Sequence, residues 1–165
     1  PVGNGNGHRP KWALTGARDR PKNIITSIYL DPLVEEKHNQ KLQNKLATIR
    51  QNEVRYHEYL IEDADVVVAG FGTAGRVAQT AVKQARARGI RAGLFRPISL
   101  YPFPEKRLAE LAETARIFLV VEMNAGQMVE DVRLAVNGRA PVKFYGRMGG
   151  VVPLPDEVLE AIEKL

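Results

Sequence analysis

The stretch DVVVAGFGTAGRVAQTAVKQARARGIRAGLFRP, residues 65–97, decides the fold. Val66–Ala69 is an unbroken apolar run closed by Gly70, as expected of a strand buried on both faces. Thr73–Arg88 reads as an amphipathic helix, and Ala92–Phe95 is a second apolar run bounded by turn signals. The same alternation continues downstream. Ile117–Val121 and Val142–Tyr145 likewise read as buried strands, and Pro104–Thr114, Gly126–Val136 and Pro155–Lys164 as helices. Strands alternating with helices over short loops predict an open three-layer α/β fold, with about four parallel strands wound by right-handed crossovers. Ligands of such sheets sit at the carboxyl ends of the strands, so loops 70–75, 96–103, 122–127 and 146–153 are the places to search for chemistry.

Upstream the pattern differs. Asp31-Pro32 reads as a helix cap followed by proline at the first helical position. From Leu33 to about Leu60 there is no Gly or Pro, and Leu42, Leu46, Ile49, Tyr56 and Leu60 form one apolar stripe. The expected helix is roughly 40 Å long, too long for a small domain to cover by itself. Residues 1–23 hold Gly3, Gly5, Gly7, Gly16, Pro1, Pro10 and Pro21, a composition that reads as a tail or linker. The runs Trp12–Leu14 and Ile24–Leu30 could add extended segments to a partner, but nothing local says which.

The whole chain has 165 residues, 44% hydrophobic, enough for one ordinary core. No apolar run approaches the length of a membrane span, and no secretion signal opens the sequence, so no membrane partner is expected. Cysteine is absent. That excludes thiol nucleophiles, disulfide scaffolds and Cys-held clusters on this chain, and is compatible with a cytoplasmic location. The net charge of +5 is concentrated: residues 1–23 hold five basic side chains against one acid, whereas residues 24–165 hold 19 basic and 18 acidic ones. A nearly neutral body argues against a nucleic-acid partner.

Four loops carry the motifs. Gly70-Phe-Gly72-Thr73-Ala-Gly75 matches a dinucleotide fingerprint, in which glycines allow a phosphate to approach helix N–H groups. The acid expected at the end of the next strand is missing. Arg96 stands there instead, which admits an NADP-type reading; the alternative is a glycine turn needed on steric grounds alone. Arg96–Pro104 contains three prolines and reads as a stiff loop presenting Tyr101 and Phe103, either folded over helix ends or facing a partner. Glu122-Met-Asn124-Ala-Gly-Gln127 sets a carboxylate and two amides where a strand becomes a helix, with Asn124 a candidate N-cap. Arg147-Met-Gly149-Gly150 is a positive loop, either a turn or an anion nest. The three histidines, His8, His38 and His57, suggest neither a metal pair nor a dyad, and there is no GxxxxGK[ST] loop or GxSxG elbow. No catalytic set and no metal site is assembled from these residues.

Taken together, Ala69–Thr73, Arg96–Pro104, Val120–Gln127 and Tyr145–Gly150 resemble the C-terminal domain of the alpha subunit of 2-oxoacid:ferredoxin oxidoreductases. Trp12–Gly16 with Asn23–Asp31 looks most like the 2-oxoisovalerate type; 2-oxoglutarate and pyruvate types are the near alternatives. The resemblance implies a transketolase C-terminal-like domain over 63–165, a connecting helix over 31–62, and a linker over 1–30 from an N-terminal domain outside this sequence. In that family a 2-oxoacid is oxidatively decarboxylated to its acyl-CoA, with electrons passing to ferredoxin. Thiamine diphosphate, magnesium and iron–sulfur clusters would then lie on the N-terminal domain and on beta-, gamma- and delta-type subunits, with none on this chain. Its expected partners are those subunits, its own N-terminal domain and a second copy, with ferredoxin and CoA met only through the whole complex. Gly70, Gly72, Thr73, Arg96, Glu122, Asn124, Gln127, Arg147, Gly149 and Gly150 carry over as family-like positions without an assigned role. The expected contribution is packing and subunit contact.

Overall fold

The computed structural model describes Gly16 and residues 19–165. Two compact units divide the chain, Pro1–Gln43 and Asn44–Leu165. Helix α1, Pro32–Asn52, belongs partly to each, and buries none of its residues. Asp31 caps it as expected: the Leu33 N–H donates to Asp31 Oδ1 at 2.9 Å.

The second unit is a five-stranded sheet in the order β1-β3-β2-β4-β5, with β1 at Tyr56–Tyr59, β2 at Val66–Gly70, β3 at Ala92–Pro97, β4 at Ile117–Glu122 and β5 at Val142–Gly146. The last four are parallel, as the alternation predicts, but β5 is not the buried strand expected: it lies at the sheet edge, with Lys143 and Phe144 exposed. Strand β1 is a correction. The stripe read as helical to about Leu60 stops being helix at Asn52, and Tyr56–Tyr59 pairs antiparallel with β3, Tyr56 opposite Pro97. Tertiary contacts override the local period here: Tyr56 stacks on Phe95 with ring centroids 5.2 Å apart, and Glu58 takes Arg107 Nε at 2.7 Å. A connecting helix over 31–62 is therefore too long by about ten residues at its C-terminal end.

Helices α2, Gly72–Ala87, and α5, Pro155–Glu163, cover one face of the sheet through Val68, Leu94, Leu119 and Val121. Helices α3, Glu105–Leu111, and α4, Met128–Val136, cover the other through Val67, Phe95, Phe118 and Val120. Both faces of β2 and β4 are thus dry, which is why their sequences are continuously apolar rather than alternating. Among the described residues no helix is long and apolar enough to cross a membrane.

Two arginines fasten this unit. Arg86 on α2 donates to both Asp63 oxygens, at 2.6 and 2.8 Å, and to the carbonyls of Leu60 and Ala92, tying the β1–β2 connection to β3. That pairing holds the Asp63 carboxyl below its ordinary range and raises Arg86. Arg107 joins α3 to β1 through Glu58, which keeps its guanidinium protonated beyond its already high ordinary range.

Candidate functional site

Strands β2 and β4 are neighbours, and the connections after them run to opposite sides of the sheet, toward β3 and β5. The crevice at their carboxyl ends is where ligands of doubly wound sheets bind. It holds a cavity of about 650 Å³, lined by Phe71, Thr73, Leu100, Met123, Asn124 and Gln127 among others. Of the sequence-predicted positions, Gly72, Thr73, Glu122, Asn124 and Gln127 meet around it. Gly70, Arg96, Arg147, Gly149 and Gly150 do not line it.

Glu122 and Asn124 each have a local explanation. Glu122, 5% exposed at the end of β4, receives the N–H groups of Met128 at 2.8 Å, Val129 at 3.0 Å and Gln127 at 3.2 Å. It thereby satisfies the open first turn of α4 and places a negative charge on the helix's positive end. Asn124 is not the cap expected of it. Its Oδ1 accepts the Gly126 N–H at 2.7 Å, and its Nδ2 donates to Glu122 Oε1 at 3.2 Å, so it closes a turn and steadies the carboxylate that does the capping. A cap reaching from five to seven residues upstream, across a strand end, lies outside the local N-cap pattern.

The glycine loop is explained by packing. A Cβ on Gly75 would lie 2.5 Å from the Gly70 carbonyl oxygen and 3.0 Å from Arg96 Cγ, because the first turn of α2 rests directly on the end of β2. Gly72 takes φ +55, which favours glycine, with open space around it. Arg96 lies against Gly75, its Nε buried without a hydrogen-bond partner.

Arg147 pairs with Glu157 on α5 at 3.2 Å, and Glu157 also accepts the Leu154 N–H at 2.9 Å. That backbone bond, with help from Arg147, lowers the Glu157 carboxyl below its ordinary value, while burial and the same carboxylate push Tyr145 up. Gly149 and Gly150, both at positive φ, make the turn beyond.

The stiff loop presents Ile98, Leu100 and Tyr101 to solvent, Tyr101 at 59%. Phe103 turns inward against the α3–α4 side of the core, contrary to the expectation that both aromatics are presented. Ser99 anchors the loop by receiving the Arg55 N–H at 3.0 Å and donating to the Pro102 carbonyl at 3.0 Å. A second cavity, about 850 Å³, opens beside it between Tyr56, Leu100, Tyr101 and Arg107. Every strand-end loop of the parallel sheet exposes large apolar side chains: Phe71 after β2, Leu100 and Tyr101 after β3, Met123 after β4, and Met148, Val151 and Val152 after β5. Motif reading singled out Tyr101 among these apolar residues and passed over Phe71, Met123, Val151 and Val152.

Among the described residues no group of three or more His, Cys, Asp or Glu side chains is placed to hold a metal, and the sequence has no cysteine for a cluster.

Fold and strand-end geometry together define the class, a three-layer, doubly wound α/β domain with an apolar rim. Within it, the chain belongs to the pyruvate:ferredoxin oxidoreductase core domain II family, whose description matches residues 64–158. It is 48% identical over 160 residues to ketoisovalerate oxidoreductase subunit VorB of Methanothermobacter thermautotrophicus, a match covering 96% of this chain and 45% of the relative. The chain thus spans less than half the length of that relative. A solved structure of 2-oxoglutarate:ferredoxin oxidoreductase from Magnetococcus marinus superposes with TM-score 0.77 at 21% identity, covering 92% of this chain and 28% of that one. A split-gene transketolase, an inactive beta4 tetramer, superposes at 0.58 and 24% identity over 67% of this chain and 40% of its own. Both likenesses bear out the transketolase-like sheet architecture.

Proposed function

We propose that this chain serves a 2-oxoisovalerate-type 2-oxoacid:ferredoxin oxidoreductase as the second core domain of its alpha subunit. The observation that carries the reading is the 48% identity, sustained over nearly the whole chain, to a ketoisovalerate oxidoreductase subunit. The complete enzyme would decarboxylate the branched 2-oxoacid oxidatively to its acyl-CoA and pass electrons to ferredoxin, in the cytoplasm. Thiamine diphosphate, magnesium and the clusters would be held on the N-terminal domain and the other subunits, and residues 1–30 would lead from that domain. The role of residues 63–165 is to present the apolar strand-end rim to the catalytic part and to neighbouring subunits. Gly70, Gly72, Glu122 and Asn124 shape the rim, and Arg147 with Gly149 and Gly150 closes its β5 side.

The test is dye reduction by the complete subunit assembled with its partners, supplied with 2-oxoisovalerate, 2-oxoglutarate or pyruvate. kcat/KM should favour 2-oxoisovalerate by at least about tenfold, as side-chain fit in an apolar pocket allows. Preference for either other acid overturns the substrate assignment.

A further inference from the structure

Four arginines of Asn44–Leu165 are partly buried. Arg86, Arg107 and Arg147 each hold a carboxylate, whereas Arg96 holds none among the described residues. Arg96 stands one residue from the end of β3, opposite His57 on β1. Strand alternation puts it on the α2 side of the sheet with Ala92 and Leu94. Its Cγ rests against the first turn of α2, 3.0 Å from where a Cβ on Gly75 would stand. The Nε is buried without an acceptor, while the terminal nitrogens stay open to solvent and bond to nothing in the described chain. The stem is thus clamped and the fork faces outward. Taking part of a guanidinium out of water is costly unless an acceptor compensates it.

Nothing around Arg96 supplies that acceptor. His57 bears no negative charge in either protonation state. The first turn of α2 contains no acidic residue and is itself the positive end of a helix. Asp63 and Asp65, between β1 and β2, are taken by Arg86 and Arg91. An acceptor from outside could match the two terminal nitrogens as a carboxylate or as a phosphate, and the surroundings separate the two. Phosphate draws on N–H groups at a helix start, but those of α2 open into the 650 Å³ crevice, which Arg96 does not line. Fork and helix end therefore do not converge on one phosphate. Instead, the loop leaving β3 just beyond Arg96 exposes Ile98, Leu100 and Tyr101.

We propose that Arg96 is the polar anchor of the strand-end rim, receiving end-on the carboxylate of one Asp or Glu side chain from the polypeptide that covers the rim in the assembled enzyme. The surface that fits is apolar around a single acid: it lays apolar groups on Ile98, Leu100 and Tyr101 and the acid on Arg96. A charge pair enclosed by apolar contacts fixes register and orientation, which apolar contacts alone do not. The fork of arginine, with its stem already held against Gly75, loses little freedom in forming that pair. The assignment rests on the reading of the rim as an assembly surface, and adds the chemistry that meets it.

Arg96→Met keeps an apolar stem and removes the charge. In the chain alone its urea midpoint should equal or exceed the unsubstituted one, because a partly buried charge without a partner gives way to an apolar group. In the assembled enzyme the same substitution strands the partner's carboxylate, and the urea concentration that takes the complex apart should fall by at least about 1 M. Arg96→Lys places a primary amine at the site. Carbodiimide treatment of the assembled enzyme should then join position 96 by an amide bond to an Asp or Glu outside residues 1–165, which peptide mass spectrometry identifies. A midpoint lowered in the chain alone would make Arg96 a packing residue and overturn the proposal. So would a complex that resists urea as before, no link from position 96, or a link to an acid within residues 1–165. Titration of the chain with NADPH and with pyrophosphate addresses the other anion: micromolar binding of either, lost in Arg96→Met, overturns the proposal in favour of a phosphate ligand. Failure of the oxidoreductase reading looks different, since the unsubstituted subunit would then form no complex with its partner subunits.

Discussion

Replacing Glu122 with Ala should cost about 3 to 5 kcal/mol of folding stability, a large share of what a domain of this size possesses. The side chain is 5% exposed and receives three main-chain N–H groups and the Asn124 amide. Alanine leaves the buried Met128 and Val129 N–H groups without an acceptor, strips the partly buried Gln127 N–H and Asn124 amide of theirs, and removes the charge that faces the α4 helix terminus. Glu122→Gln keeps the volume and one acceptor oxygen, so its cost should be smaller, about 2 kcal/mol. In urea unfolding the midpoint of Glu122→Ala should fall by roughly 2 M at unchanged slope. A fall under roughly 0.5 M would mean that the carboxylate is not what holds β4 to α4.

Gly75→Ala should be nearly as damaging, at about 2 to 4 kcal/mol. Its new methyl carbon would sit 2.5 Å from the Gly70 carbonyl oxygen, and neither atom belongs to a side chain that can swing away. Helix α2 would have to lift off β2, opening the side of the core built on Val68, Ala78 and Val82. Gly72→Ala is the informative contrast. Nothing lies near its Cβ, so only the positive φ is penalised, at about 1 kcal/mol. A phosphate cradle would make Gly72 and Gly75 alike in their effect on ligand binding; a packing role makes them unlike in stability. Denaturation of both variants measures the difference, and equal losses would refute the packing account.

These two residues show what was legible in the sequence and what was not. Strands β2 and β4 are continuous apolar runs, so their burial on both faces is written in their composition, whereas edge strand β5 carries Lys143 and stays partly exposed. The glycine loop was legible as a motif but ambiguous in meaning, because a steric contact and a phosphate site both require small residues there. Only the 2.5 Å approach to Gly70 separates the two. Strand β1 was hidden because Tyr56 and Leu60 continue the spacing of the preceding helix, and what draws Tyr56–Tyr59 into the sheet is contact with Phe95 and Arg107, far along the chain. The role of Glu122 was hidden for a similar reason. It caps a helix from the neighbouring strand end, leaving to Asn124 the supporting position that local rules would have made the principal one. Arg147, a candidate anion ligand by sequence, is drawn aside by Glu157 from the next helix.

The central claim is that the strand-end rim serves assembly and not chemistry. Leu100 and Tyr101 are its most direct probes, because both are largely exposed and the core does not depend on them. Rigid exposed aromatics of this kind anchor interfaces, and a charge placed among them is costly only when the partner covers it. The decisive measurement is assembly of the complete enzyme carrying Leu100→Asp/Tyr101→Asp, read by sedimentation together with kcat per assembled complex. The account predicts that assembly is lost, while any complex that does form turns over at the unsubstituted rate. Normal assembly combined with a collapsed kcat would contradict it and place these loops in the chemistry itself.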